Sequence, residues 1–314
     1  MIDIAIVGGG PAGLTAALYG ARGRAKTVVF ETGLTGGQIV TASWVENFPG
    51  FPDGISGEEL GARMLAQAEQ WGAEFRTFAE VEAIRTEGCD FVLTADGEEF
   101  GARAVILATG AVPKKLGVPG EAEFTGRGVS WCATCDGALY RDKTVAVVGG
   151  GDSATQEALF LTKYAKKVHL VHRRDELRAT LCIQERCFLN ERITMQWSKV
   201  IDEIVGQDGK VAGVRLRSTD TGAEEILPVD GVFIFVGIDA KSELVADLCD
   251  LDQAGFVLVD RNGQTSQLGL YAAGDVTDYE LKQVITASAR GAFAAYHALH
   301  YVDQKMCEVP QPRT

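Results

Sequence analysis

Short apolar runs that end on glycine recur along the chain. The first, Ile2-Asp-Ile-Ala-Ile-Val7, passes directly into Gly8-Gly-Gly-Pro-Ala-Gly13. Small residues follow (Ala16, Ala17, Ala21), then a second apolar run, Thr27-Val-Val-Phe-Glu31. Runs this short, bounded by glycine, predict buried strands, and the small residues between them predict a helix lying close on a sheet. The pattern returns with Thr144-Val-Ala-Val-Val148, the turn Gly149-Gly-Gly-Asp-Ser-Ala154, a helix over 156–164 and the strand Val168-His-Leu-Val171. Val105-Ile-Leu-Ala-Thr-Gly110 and Leu270-Tyr-Ala-Ala-Gly274-Asp275 predict two more buried strands that finish in small residues. Over 281–301 the spacing becomes that of an amphipathic, alanine-rich helix suited to packing. This alternation predicts an α/β fold of two Rossmann-like, three-layer dinucleotide-binding domains.

The glycine positions carry the chemistry. Gly8 allows a tight turn after the strand, Gly10 lets a pyrophosphate approach backbone N–H groups, and Gly13 permits close helix–strand packing. Glu31 closes the second strand eighteen residues past Gly13, where a carboxylate accepts from ribose hydroxyls. In the second copy Gly149, Gly151 and Ala154 take the three small positions, and the residue eighteen further on is His172. Arg173 and Arg174 follow it, with Arg178 four residues beyond. An acid here would repel a 2′-phosphate, whereas guanidinium groups bind one through charge-assisted forks. The first site therefore suits an unphosphorylated adenosine ribose and the second suits NADPH; a merely solvated charge run is the alternative. Ala108-Thr109-Gly110 and Gly274-Asp275 place a flavin nucleotide at the carboxyl edge of the first sheet, with Asp275 accepting from ribityl or ribose hydroxyls. The alternative for Asp275 is an N-cap of the C-terminal helix.

The order of these signals nests one domain in the other. Residues 1–116 and 242–314 form the flavin domain, and 117–241 form the nicotinamide domain. Gly117-Val-Pro119-Gly and Gly237-Ile-Asp-Ala supply turn chemistry at the crossings near Leu116 and Lys241. The tail Pro310-Gln-Pro-Arg-Thr314 is expected to fray.

A net charge of −13 argues against a nucleic-acid partner. No apolar run approaches the roughly 18 residues of a membrane span, and a strand beginning at Ile2 leaves no room for a signal peptide, so a cytoplasmic location is expected. The seven cysteines include one tight pair, Cys132-Ala-Thr-Cys135, followed by Asp136. An odd count with one such pair reads as a redox or metal site in a reducing compartment. A zinc site would need two more ligands. Cys182 and Cys187, five apart on a predicted helix, do not share a face; they read as ordinary thiols, as do Cys89, Cys249 and Cys307. His169, His297 and His300 form no constellation. A dithiol joined to two nucleotide sites makes an electron path from nicotinamide to flavin to disulfide. One thiol must engage the flavin as a thiolate and the other must reach a partner disulfide. Asp136 is the acid–base candidate, or a helix N-cap.

Across nearly its whole length the chain resembles the low-molecular-weight, bacterial-type thioredoxin reductases of the class II pyridine nucleotide-disulfide oxidoreductases. The matching residues are Gly8-Gly-Gly-Pro-Ala-Gly13, Gly36-Gly-Gln38, Glu46-Asn-Phe-Pro-Gly-Phe51, Ala108-Thr-Gly110, Cys132-Ala-Thr-Cys-Asp136, Gly149-Gly-Gly-Asp-Ser-Ala154, His172-Arg-Arg-Asp175 with Arg178, and Gly274-Asp-Val276. The resemblance implies a homodimer that reduces thioredoxin or a thioredoxin-like protein with NADPH. It implies FAD bound by Gly8, Gly10, Pro11, Ala12, Gly13, Glu31, Gly37, Gln38, Asn47, Val81, Ala108, Thr109, Gly110, Gly274, Asp275, Lys282, Gln283 and Val284. NADPH would be bound by Gly149, Gly151, Asp152, Ser153, Ala154, His172, Arg173, Arg174 and Arg178. It assigns Cys135 to the flavin and Cys132 to the partner protein, and implies that the inserted domain rotates in turnover. Lys282-Gln-Val284 departs from the family's Arg-Gln-Ala, Gly237-Ile-Asp-Ala replaces a turn that usually carries proline and asparagine, and Trp131 is bulky for its place. Two rival readings stand beside it: a dithiol oxidase of the same fold, which would not need the arginines, and a flavin-binding interaction or sensor protein whose Cys pair is structural.

Overall fold

Strand Ile2–Val7 is an apolar run because both of its faces are covered, and it lies at the middle of a seven-stranded sheet. The computed structural model describes residues 1–42, 45 and 47–308, the side chains of 41 and 306–308 excepted. Glu46, the Cys307 thiol and the tail 310–314 lie outside the described residues. Two compact units emerge: Met1–Val112 with Asp239–Thr314, and Pro113–Ile238 between them in sequence. The crossings fall at 112/113 and 238/239, where the turn chemistry pointed to Leu116 and Lys241.

In the outer unit the strand order is Glu74–Thr77, Thr27–Glu31, Ile2–Val7, Glu98–Leu107, Asp90–Ala95, Val81–Glu87. Glu98–Leu107 is long enough for two neighbours on one edge. Its first half pairs antiparallel with Asp90–Ala95, and its end pairs in parallel with Leu270–Ala272. Val7 stands opposite both Phe30 and Leu107, and Leu107 stands opposite Ala272, so the carboxyl ends of four parallel strands are level. Helices Pro11–Arg22 and Val284–Glu308 share one face of the sheet through alanines, among them Ala16, Ala17, Ala294, Ala295 and Ala298. Small side chains bring the two backbones together: a Cβ on Gly291 would overlap the Ala12 carbonyl. Phe30, Phe91, Leu93 and Leu107 fill the opposite face.

The inserted unit repeats the plan. Its parallel sheet runs Ile193–Gln196, Lys167–Val171, Thr144–Val148, Gly231–Ile234, Val129–Ser130. A three-stranded antiparallel sheet, Lys199–Gln207, Lys210–Ser218 and Glu224–Pro228, shares a core with it through Val148, Val171, Ile204 and Val214.

Two predicted helices shift. The helix expected over 156–164 spans Asp152–Leu161, because extended Gly151 hands over directly to a polar first turn that hydrophobic spacing does not register. The C-terminal helix is Val284–Glu308, so Asp275 lies nine residues before it and is not its N-cap. No helix among the described residues is long and apolar enough to cross a membrane.

Candidate active site

At the first glycine turn, Gly8 sits at φ +105° with its N–H donating to Phe30 O at 2.8 Å; a side chain there would enter the Ala108 carbonyl. A Cβ at Gly13 would overlap Gly8 O, which fixes how closely helix Pro11–Arg22 approaches its strand. Pro11 opens that helix and Gly10 caps it without a side-chain hydrogen bond. First-turn N–H groups are thus left for an anion. Glu31 braces the turn: Oε2 accepts from Gly9 N–H at 2.6 Å, and Oε1 accepts from Gly33 N–H at 3.0 Å and the Thr32 hydroxyl at 3.1 Å. A carboxylate has about four acceptor sites, so ribose binding and bracing are compatible.

The level strand ends bring Ala108-Thr109-Gly110 and Gly274-Asp275 beside this turn. Thr109 donates its hydroxyl to Lys241 O, and the Gln38 amide donates to Ala111 O. Gly36 N–H donates to Gly9 O at 2.8 Å, which sets Gly37 against Gly10. Asn47 Nδ2 donates to Gln283 Oε1 at 3.0 Å, and Val284 packs on the small core around Ile39. Gly274 leaves room for Ala12, whose Cβ would lie 2.9 Å from a Cβ at 274. Burial pushes the Asp275 carboxyl up while Lys282 holds it back. Val81 is buried in the core.

In the inserted unit Gly149 is the counterpart of Gly8, closing on the Phe235 carbonyl. Gly150 lies flat on the His172 ring, and Arg178 N–H donates to Gly150 O at 2.7 Å, which ties the arginine segment to the glycine turn. His172 is buried, its Nε2 has no partner among the described residues, and its pKa is lowered by burial first and by Arg178, Arg173 and Arg174 after that. The three arginines are exposed, and no acidic side chain pairs with them among the described residues. Ser153 is exposed in the first helical turn and Ala154 is buried beneath it. Asp152 has structural work, since its Oδ1 accepts from Thr180 N–H at 2.6 Å.

Cys132 and Cys135 form a disulfide with Cα atoms 5.3 Å apart. Cys132 caps the short helix Ala133–Asp136, and its Sγ accepts from Cys135 N–H at 3.1 Å. Ser130 Oγ accepts from Cys132 N–H at 3.0 Å, a brace the sequence does not advertise. Cys135 is exposed and Cys132 half-buried. Asp136 ends the redox helix and makes no capping bond to the turn that follows, which removes the N-cap alternative. Trp131 packs on the inserted unit's core. Cys187 is buried, its thiol pushed up to about 11 by burial, while Cys182 on the same helix is exposed. Among the described residues no three His, Cys, Asp or Glu side chains gather as a metal site.

The profile of the pyridine nucleotide-disulphide oxidoreductases matches residues 2–291. The thioredoxin reductase of Listeria monocytogenes is 45% identical over 303 residues, covering 96% of the chain and 94% of that protein. That of Mycolicibacterium smegmatis is 48% identical, covering 96% and 97%. The chain belongs to the low-molecular-weight thioredoxin reductases of this family. The crystal structure of thioredoxin reductase from Streptococcus pyogenes superposes with a TM-score of 0.91 at 42% identity, covering 97% and 99%. Membership implies a flavin and a pyridine nucleotide, and the Cys132–Cys135 disulfide agrees with the family's redox-active centre.

Proposed function

We propose that the protein is a homodimeric, cytoplasmic enzyme that reduces thioredoxin with NADPH through FAD and Cys132–Cys135. FAD belongs to the Gly8–Gly13 turn with Glu31, Thr109 and Asp275, and NADPH to the Gly149–Ala154 turn with His172, Arg173, Arg174 and Arg178. The carrying observation is the disulfide on a helix start, followed by Asp136, in the same unit as a glycine turn edged by exposed arginines. An exposed stripe of Ile285, Phe293 and Tyr296 on helix Val284–Glu308 supports the dimer. Free Cys89, Cys182, Cys187 and Cys249 suit a reducing compartment.

When bound, the nicotinamide supplies a hydride and the flavin relays its two electrons to the disulfide. With two protons these electrons give the Cys132 and Cys135 thiols. Cys132 gives its proton to Asp136 and attacks one sulfur of the partner disulfide as a thiolate, and Asp136 passes that proton to the sulfur that leaves. Cys135 then gives its proton to Asp136 and attacks Cys132 Sγ. The disulfide re-forms and the second partner sulfur leaves with the proton held by Asp136, so the partner gains the two electrons and two protons that the thiols lose. Ser130 holds the Cys132 main chain while its Sγ changes partners.

The test is NADPH-dependent reduction of oxidised thioredoxin by the purified protein beside Cys135→Ser. Turnover that vanishes in the variant is expected. Flavin bleaching by NADPH without thioredoxin turnover would move the partner assignment to another disulfide, and no bleaching at all would overturn the NADPH assignment.

A further inference from the structure

The surroundings of Lys282 give it a definite task. Its ammonium donates to Asp275 O at 3.1 Å and to Thr277 O, and it lies 4.4 Å from the centre of the Phe256 ring. Two of its three N–H donors are thus on main-chain carbonyls, with an aromatic face beside the charge. The turn it grips is closed from within, because Thr277 donates to Gly274 O from its N–H at 3.1 Å and from its hydroxyl at 2.7 Å. Phe256 belongs to the neighbouring segment, where Val257 N–H donates to Val276 O at 3.0 Å and Asp278 N–H donates to Val257 O at 3.2 Å. Lys282 therefore joins the approach to the C-terminal helix, the Gly274–Thr277 turn and the 256–257 segment.

The direction of the Asp275 carbonyl matters beyond the bond itself. All peptides here are trans, so a carbonyl drawn toward Lys282 sends the Val276 N–H to the opposite side of the same plane. Val276 is fully buried, and its N–H finds no acceptor among the described residues. A buried, unmatched donor beside a half-buried carboxylate is costly unless a ligand completes it.

Resting on the reading of the outer unit as the flavin domain, we propose that Lys282 is a positioning residue for FAD and not one of its ligands. By holding the Asp275 and Thr277 carbonyls from behind, it presents the Val276 N–H and the Asp275 carboxylate to the cofactor. Asp275, Asp278 and Asp252 compensate the ammonium for its partial burial. Replacement by a neutral side chain frees two carbonyls and lets the turn relax.

The experiment compares wild type, Lys282→Met, Lys282→Gln and Lys282→Arg after removal and titration of FAD, reading the dissociation constant and the visible flavin spectrum. Hydrogen exchange over 274–278 is followed in the FAD-free proteins. Charged-group hydrogen bonds of this kind predict FAD binding weakened about 10-fold or more in Lys282→Met, with faster exchange across the turn. Lys282→Gln, which keeps a donor and the chain length, is expected to weaken binding less, and Lys282→Arg to restore it most fully. Wild-type affinity, spectrum and exchange in Lys282→Met would overturn the proposal; should that variant not fold, the same result in Lys282→Gln would do so. Weakened FAD binding with unchanged exchange would also overturn it, by making Lys282 a direct ligand. Failure of the wild type to take up FAD would overturn the flavin reading itself, which the exchange data on the free protein report separately.

Discussion

Replacing Arg174 by alanine separates a phosphate reader from a solvated charge run. Arg173, Arg174 and Arg178 are exposed and carry no acidic partner among the described residues. At about 4 Å in a water-like dielectric, a pair of unit charges is worth about 1 kcal/mol. A phosphate monoester carries roughly −1.5 to −2 at neutral pH, giving about 1.5–2 kcal/mol per arginine, or about 10–30-fold in affinity. Arg174→Ala is therefore expected to raise KM for NADPH by about 10–30-fold and to leave KM for NADH, which lacks the 2′-phosphate, where it was. The assay is steady-state turnover with each nucleotide, repeated across ionic strength. Between about 0.1 M and 1 M salt the Debye length falls from about 10 to 3 Å, so the preference for NADPH should shrink in both proteins, and by less in the variant, which keeps only Arg173 and Arg178. Equal rises in both KM values, or an unchanged KM for NADPH in both Arg173→Ala and Arg174→Ala, would refute the reasoning.

Gly13→Ala places a methyl in the Gly8 carbonyl, a collision of main chain against main chain, whereas Gly33 has no atom within 4 Å of a Cβ. We expect Gly13→Ala to lose about 3 kcal/mol, lowering Tm by roughly 6–12 °C for a unit of this size, with Gly33→Ala nearly unchanged in a thermal melt. Burial and the arginines depress the His172 pKa, so the unfolded chain binds more protons below its own value of about 6.5. Stability of the inserted unit should accordingly be full above that pH and decline as pH falls through it, and His172→Asn should flatten the decline in denaturant titrations. Phe293→Asp puts a charge in the exposed helical stripe and should convert a dimer to monomers by light scattering; a variant that stays dimeric would place the contact elsewhere.

The strands that position the site were legible because burial on both faces leaves a continuous apolar run, as in Ile2–Val7 and Thr144–Val148. Strand Glu98–Leu107 was legible only in its second half, because its first half is exposed and polar. The helix after Gly151 was placed late since Asp152 and Ser153 carry no hydrophobic signal, although Asp152 has a partner twenty-eight residues away in Thr180. Glu31 was recognised as the acid of its motif, but its grip on Gly9 and Gly33 is a matter of side-chain direction that spacing does not encode. Ser130 and Phe256 carried no signal at all. Each acts through a fold-dependent approach to Cys132 or Lys282.

The contact between the first helix and the last sets an order of events during synthesis. Pro11–Arg22 buries its alanines against Val284–Glu308, and the sheet beneath them is completed by Leu270–Ala272. Pro113–Ile238 is continuous in the chain and can collapse as soon as it leaves the ribosome. At about 5–20 residues per second, the N-terminal strands wait on the order of 10–60 s for their second covering helix. Through that interval Ile4, Ile6 and Ile106 have only Pro11–Arg22 to cover them, and the part of their face that Val284–Glu308 buries stays open. A chain truncated before Val284 would therefore leave the redox disulfide on a folded unit tethered to an unfinished one.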